Sequence, residues 1–354
     1  MQVSGEVPDV TAVRGRSDVL VVGAGLAGLT AARALARTHQ VVVLDKGRGV
    51  GGRLATRRIG DATFDHGAQF FTTHTETFAR IVRDWVEADV AAPWYRGQVG
   101  PSGVVGSDGH PRFRGVPTMN AVAKHLAVGL DVHLSSRIVT LRANESGWSA
   151  VLEDGTTSTA GALVVTAPVP QALELLDAGD VRLTASDRAV LEAITYDPCL
   201  AVLAPLEGLS GLPEPGALDP DALDPDALDP DAASTGAGPI DWMADNQTKG
   251  VSAAPAVTIH ATAEFSRQHR DSPDGQVIAE LIAAAALGAP VIEGAAQVQR
   301  WRYAKPSTLH PQPCLVASGT PPLVFAGDAF GGAKVEGAVL SGLAAADALA
   351  GLLR

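Results

Sequence analysis

The sequence predicts an α/β protein: a doubly wound domain with a parallel sheet, joined to a second, mixed-sheet α+β domain. Three observations predict it. An apolar strand, Val19-Leu20-Val21-Val22, runs into Gly23-Ala24-Gly25-Leu26-Ala27-Gly28 and then an Ala/Leu-rich helix reaching Arg37. A second apolar strand, Val41-Val42-Val43-Leu44, ends on Asp45. Far downstream, Leu323-Val324-Phe325-Ala326 ends on Gly327-Asp328 and is followed by a helix opening at Lys334-Val335-Glu336-Gly337-Ala338.

The first strand, turn and helix have the spacing of a dinucleotide-binding unit. Gly23 permits the tight turn, Gly25 lets backbone approach a pyrophosphate, and Gly28 lets the helix pack on the strand. The helix N-terminus, with Leu26 and Ala27 in its first turn, favours negative charge. Asp45 closes the second strand, where a carboxylate accepts ribose hydroxyls. Lys46-Gly47-Arg48-Gly49-Val50-Gly51-Gly52-Arg53-Leu54 then forms a second glycine-rich loop where a nicotinamide dehydrogenase would enter a helix. Such a loop suits the far side of a diphosphate, with Arg53 as a planar fork.

Composition narrows the class. The chain has 354 residues with 46% hydrophobic and 19% charged, ordinary for a globular protein with a substantial core. A net charge of −12 gives no basic field for nucleic acid or anionic lipid. Two cysteines, Cys199 and Cys314, make neither a disulfide framework nor a metal cluster and suit a reducing, cytoplasmic setting. No metal site is expected. No secretory signal is read at the N-terminus, and the apolar C-terminus, interrupted by Asp347, is not read as a membrane span.

In chain order, residues 1–17 read as a loose tail. Residues 75–88 carry Phe78, Ile81, Val82, Trp85 and Val86 at helical spacing. Residues 97–109 predict a hairpin, and Pro117 opens a helix with Met119, Val122 and Leu126 on one face. Strands are predicted at 131–134, 137–141, 147–152, 162–168, 200–203, 257–263 and 297–306, with an Ala-rich helix at 277–286. Ala-Leu-Asp-Pro-Asp repeats three times from Ala217 to Asp231. Proline every fifth residue forbids a long helix and the aspartates repel, so 206–238 reads as a disordered insertion. Calcium binding is the alternative, but the spacing lacks the glycine and glutamate of a calcium loop.

Lys46 to Arg53, Ala55-Thr56-Arg57-Arg58 and Asp65-His66-Gly67-Ala68-Gln69-Phe70-Phe71-Thr72 together resemble the renalase-like branch of the flavin-containing amine oxidase superfamily. Trp301-Arg302-Tyr303-Ala304 resembles that branch too. The resemblance implies a Rossmann-like FAD-binding domain from 18–75, 118–168 and 315–354, and a substrate domain from 76–117 and 169–314. It implies that Gly67, Ala68, Gln69 and Phe70 run beside the isoalloxazine ring. It places Ile138 near the adenine and Ala167 near the cofactor. Gly327 and Asp328 would hold the ribityl or pyrophosphate part, and Val335, Glu336 and Ala338 would open a helix aimed at the flavin ring.

The activity it implies is oxidation of 2- and 6-dihydro isomers of NAD or NADP, small-molecule substrates, with O2 as electron acceptor. Removing hydride from a dihydropyridine leaves an aromatic cation, so orientation matters more than a strong base. Substrate-side candidates are Gln69, Phe71, Trp242, Arg302, Tyr303 and Lys305: aromatic faces for a nicotinamide and cations for its phosphates. Two other readings stay open. One is an amine oxidase or desaturase on the same FAD domain, against which Cys199 to Leu203 lacks a lysine. The other is a flavin-binding module without turnover.

Overall fold

The computed structural model describes residues 13–100, 103–220 and 238–353. Residues 1–12 of the expected tail and 221–237 of the expected insertion lie outside the described residues. The first part of the chain runs β1 (Val13–Val22), α1 (Leu26–Leu35), β2 (Val41–Leu44), β3 (Thr56–Ile59), β4 (Ala62–Asp65), α2 (Glu76–Glu87), β5 (Ala91–Gly100), β6 (Gly103–Gly115) and α3 (Asn120–Ala127). Next come β7 (Asp131–His133), β8 (Ile138–Asn144), β9 (Gly147–Leu152), β10 (Thr157–Val165), α4 (Val169–Asp177) and α5 (Ala185–Glu192). The chain continues through β11 (Tyr196–Pro205), β12 (Ala217–Leu218), β13 (Ile240–Asp245), β14 (Ala256–Ala261), α6 (Ala263–Gln268), α7 (Asp274–Ala285) and β15 (Gln297–Pro306). It ends in β16 (Leu315–Val316), β17 (Leu323–Phe325) and α8 (Lys334–Leu352).

The apolar runs of β1, β10 and β17 have no polar alternation because both faces of their sheet are covered. That sheet has the order β16-β17-β10-β1-β2-β7, with β8 and β9 joining beside β10. β1 is parallel to both neighbours, pairing Val19 with Val41 and with Ala162. Successive side chains point to opposite faces. Val19, Val21, Val43, Val164 and Val324 pack with α1, α3 and α8; Leu20, Val22, Leu163, Val165 and Phe325 pack with Trp148, Leu173 and Leu176. Each fully buried valine or leucine here contributes about 1.5–3 kcal/mol. α8 crosses α1 closely because position 342 is glycine: a Cβ there would lie 2.4 Å from the Ala27 carbonyl oxygen.

The second sheet has the order β12-β13-β14-β11-β15 and is antiparallel. Leu200, Val202, Met243, Val257 and Ile259 face α7 through Val277 and Leu281. The alternate residues face the first unit, where Leu203 and Ala256 pack on Phe64 of β4. This second face is the wall of the site described below.

The strand and helix periodicities locate most elements. Thr75 caps α2 by accepting from the Phe78 N–H, and Phe78, Val82 and Trp85 are its buried face. The 97–109 hairpin is longer than expected, 91–115. Four expectations change. β1 begins at Val13, paired with Thr157, so 13–17 is strand and not tail. Ala217 and Leu218, the start of the repeat, pair with Ala244 and Met243 as β12, so the insertion does not begin at 206. α3 begins at Asn120, since the Met119 N–H is drawn to the Asp65 carboxylate, 3.0 Å away. Finally, α8 is 19 residues long and apolar enough to cross a membrane by length and composition. Its Val335, Val339, Ala345 and Leu349 are buried in the core that also holds Leu29 and Ala32 of α1.

Candidate functional site

The glycine-rich turn is shaped by contacts that a side chain would destroy. A Cβ at Gly28 would sit 1.9 Å from the Gly23 carbonyl oxygen, so α1 approaches β1 only because that residue is glycine. At Gly25 the reverse holds: a Cβ would meet nothing within 4 Å. Gly25 is the N-cap of α1 and no side chain caps its free N–H groups. An open space thus lies over an electropositive helix end, with Leu26 and Ala27 in the first turn. Gly51 and Gly52, both left-handed with φ +113° and +54°, bring the second glycine loop against it; the Gly51 N–H donates to the Ala24 carbonyl at 2.8 Å. Leu54 is buried beneath that loop.

Charged groups around this space are tied to protein partners. Asp45 accepts from the Ala24 N–H at 2.7 Å and the Gly47 N–H at 2.6 Å, each on a different oxygen. Arg53 forms a two-pronged ion pair with Asp328, 2.7 and 2.6 Å, and also donates to the Ala304 carbonyl. The expected diphosphate fork therefore joins the second glycine loop to the loop after β17. Lys46 donates to Gln171, and burial, with help from the Arg137 charge, lowers its pKa. Glu336, expected at the flavin, instead accepts from the His74 and Thr75 N–H groups and the Thr75 hydroxyl, pinning the start of α2 to α8. Neighbouring Val335 is buried and Ala338 partly so. The Gly327 N–H donates to the Ser341 hydroxyl at 2.8 Å. Ile138 is buried at the start of β8, and Ala167 packs with the core cluster on that side.

The segment 65–71 leads from this region to the second sheet. The Ala68 N–H donates to the Arg53 carbonyl at 2.8 Å, and a Cβ at Gly67 would lie 1.9 Å from that same oxygen. Asp65 is completely buried and gathers the whole neighbourhood. Its carboxylate accepts from the Thr56 hydroxyl at 2.7 Å, the Met119 N–H and the Lys249 ammonium at 3.0 Å. Its backbone N–H and carbonyl are held by Asn246 and Thr258. Lys249 is equally buried. Desolvation lowers its pKa, the Asp65 charge opposes this, and Arg114 adds to the lowering. Its Nζ also lies 5.1 Å from the centre of the Trp94 ring.

His66 follows. Its ring stacks on Trp301 at 5.4 Å, while its carbonyl accepts from the Trp301 indole at 2.8 Å and faces His260 Nε2 at 3.3 Å. Burial holds both histidines neutral, with pKa values of about 4. On this wall His66 Nδ1 and Trp242 Nε1 are buried with no hydrogen-bond partner. Buried polar atoms are rarely left so, and such atoms call for a ligand. Phe70 lies 5.3 Å from Trp242 and 6.2 Å from Tyr95, and the Arg112 guanidinium lies 5.9 Å from Phe70 and 6.0 Å from Tyr95.

The predicted substrate-side residues separate. Trp242 is on the wall. Gln69 is 5% exposed and turned inward: its amide donates to the Asp65 and Gly67 carbonyls and its oxygen accepts from Lys249. It holds its own segment. Phe71 is buried against Phe78, Trp85 and Phe113, as core. Tyr303 packs edge-on against Tyr196. Arg302 and Lys305 are exposed, Arg302 lying over the Tyr303 ring at 5.2 Å. A bulge opposite Pro198 breaks the alternation of β15 there, so the cationic tip does not follow Trp301 onto the wall. The residues missed in the sequence are Lys249, Arg112 and Arg114. Lys249 sits in Asp-Asn-Gln-Thr-Lys-Gly, which reads as a solvated turn; only the tertiary pairing with Asp65 buries it.

Similarity searches agree with this geometry. Residues 21–85 match a NAD(P)-binding Rossmann-like domain, and residues 94–207 match the flavin containing amine oxidoreductase family. The chain is 28% identical over 193 residues to renalase of Mus musculus, covering 51% of this chain and 55% of that protein. It is 42% identical over 65 residues to protein anon-37Cs of Drosophila melanogaster, 18% of this chain and 13% of that one. The chain thus spans little more than half the length of the renalase it matches. In fold it is similar to putrescine oxidase bound to putrescine, with a TM-score of 0.66, 16% identity and 96% and 100% coverage. A redesigned putrescine oxidase variant gives 0.67, 16%, 95% and 99%. The open cradle at Gly25, over an uncapped helix N-terminus, fits the diphosphate of a flavin dinucleotide. Over residues 94–207 the chain is thus similar to the flavin containing amine oxidoreductases, over 193 residues it is similar to renalase, and its fold is that of putrescine oxidase.

Proposed function

We propose that this protein is a FAD-dependent oxidase of the renalase type, acting on the 2- and 6-dihydro isomers of NAD or NADP. One observation carries the reading. The wall beyond Gly67 carries buried polar atoms without a hydrogen-bond partner, Trp242 Nε1 and His66 Nδ1 among them, which the polar groups of a planar ring would meet. His66 and His260 stay neutral because burial opposes their charging, and Cys199 on the same sheet face has its thiol pushed up to about 12. A dihydropyridine needs no base to surrender hydride, because its product is an aromatic cation.

When bound, FAD supplies hydride acceptance at N5 and passes two electrons to O2, giving hydrogen peroxide. The chain's own residues bind and orient. The α1 N-terminus over Gly25 would hold the diphosphate. Gly67 to Phe70 would hold the cofactor's ring side, on a segment tied down by Asp65, Gln69 and Lys249. Trp242 and His66 supply the hydrogen-bonding atoms that orient a planar ring. The test is anaerobic mixing of the flavoprotein with the 2- and 6-dihydro isomers, with NADH and an amine panel in parallel. Rapid flavin bleaching by the isomers alone, and peroxide on admitting air, is the expected result. Bleaching by an amine alone would move the protein to the amine oxidases.

A further inference from the structure

We propose that Arg53 is a charge mask: it cancels the Asp328 carboxylate beside the Gly25 cradle, so that an anionic diphosphate can settle there. Arg53 thereby serves cofactor binding as a positioning residue that acts through Asp328, and not as a phosphate ligand. This deepens the reading above, on which it rests for FAD as the ligand.

The argument begins with the sheet. Val22, Val165 and Phe325 lie in register on the neighbouring parallel strands β1, β10 and β17. Gly25 follows Val22, and Asp328 follows Phe325, at the same interval. Both therefore stand at the carboxyl edge of the sheet, where open α/β sheets bind their ligands. Two strand spacings, roughly 10 Å, separate them. A carboxylate at that place opposes an anion in the cradle. Its repulsion of a doubly charged diphosphate at that range is on the order of 10- to 100-fold in affinity.

Arg53 answers that charge. Its fork meets both Asp328 oxygens, at 2.7 and 2.6 Å, and the two side chains are only 29% and 11% exposed. Nη1 gives its second hydrogen to the Ala304 carbonyl at 3.1 Å, which fixes the guanidinium. The fork that would grip a diphosphate is thus the one that grips Asp328. Its place follows from the loop: Gly52 packs on Gly25, where a Cβ would lie 3.6 Å from the Gly25 Cα, so Arg53 enters beside the cradle. Asp45, the acid after β2, is answered by the Ala24 and Gly47 N–H groups. Asp328 has no such backbone donors: among the described residues Arg53 is its hydrogen-bond partner, so the mask depends on one side chain.

The test is FAD binding by the full-length chain, followed by flavin fluorescence and needing no turnover. Arg53→Met unmasks Asp328 and should weaken FAD at least ~10-fold, with the loss shrinking at high salt. Arg53→Lys keeps the charge without the fork and should recover most of the affinity. Arg53→Met/Asp328→Asn removes both charges and should recover it too, although the link between the loops is gone. A simple brace, a phosphate-binding Arg53 or a ribityl-binding Asp328 would not give that recovery. A double variant as weak as Arg53→Met overturns the proposal, as does Arg53→Lys no better than Arg53→Met, or full affinity in Arg53→Met. Should Arg53→Met not fold, the double variant decides: FAD held within ~10-fold of wild type supports the mask, and FAD lost overturns it. A wild-type chain that takes up no FAD overturns both this proposal and the reading above. Bound FAD without dihydronicotinamide turnover sinks the proposed reaction alone and leaves the mask to the variants.

Discussion

The two sides of the site are built by different means. The cofactor side, from Val19 to Leu54, is backbone: a strand, a turn and a helix whose glycines clear space. The facing wall is side chains: Asp65, Trp94, Arg112, Trp242, Lys249 and Trp301, drawn from β4, β5, β6, β13, β15 and the turn after β13. A backbone cradle tolerates variation in what surrounds it and recognises the invariant part of a dinucleotide. A side-chain wall is set by pairings across the fold, and its chemistry changes with one residue. The comparison predicts that changes to the backbone cradle and changes to the side-chain wall have separate effects.

The largest expected effect falls on the wall. Lys249→Met leaves Asp65 charged, buried and unpaired, which costs about 3–5 kcal/mol. Chemical denaturation should show that loss, with part of it recovered in Asp65→Asn/Lys249→Met, since no lone charge then remains. Equal stability of wild type and Lys249→Met would mean that the buried pair contributes nothing.

On the cofactor side, Gly25→Val and Gly28→Val sharpen the contrast. The first adds atoms to open space in an extended backbone, φ −77° and ψ −179°, so the apoprotein should melt as wild type does. It should purify without flavin and lose the roughly 3–4 kcal/mol that a saturating ligand contributes. Gly28→Val should instead lower the melting temperature of the apoprotein, because its Cβ meets the Gly23 carbonyl oxygen. Flavin retained in Gly25→Val would show that the dinucleotide lies elsewhere.

Acid should affect the wall before the cradle. His66 and His260 have pKa values near 4 folded and ordinary ones unfolded. Between about pH 6.5 and 4 the unfolded chain binds more protons, so stability falls as pH falls through that window. Each histidine contributes about 1.4 kcal/mol per pH unit there. Urea unfolding of wild type against His66→Gln across that range should show a shallower slope in the variant; identical slopes would mean His66 charges freely in the fold.

The smallest effect is expected from Trp301→Phe. It keeps the ring over His66 and removes one indole hydrogen bond to the His66 carbonyl, about 1 kcal/mol. Thermal melting measures it, and flavin content should not change.

The cradle was legible because its instructions are local. Glycine spacing, apolar runs and the terminal acid of β2 act within about 30 residues, and short-range sterics leave one geometry. The same logic located α2, β9, β15 and the strand before Gly327. It did not show what Arg53 and Glu336 pair with, because those partners, Asp328 and the 74–75 backbone, lie more than 250 residues away in sequence. Gln69 carried a substrate role in the sequence and a structural one in the fold, since nothing local says which way an amide turns.

By itself, then, the sequence determined the doubly wound sheet and the two glycine-rich loops, all from spacing within single elements. Only the tertiary structure decided that Lys249 is buried on Asp65, that Arg112 covers Phe70, and that Trp242 is left with an unmet N–H. Those outcomes depend on which strands become neighbours and on the desolvation that follows, and no pattern along the chain encodes a dielectric.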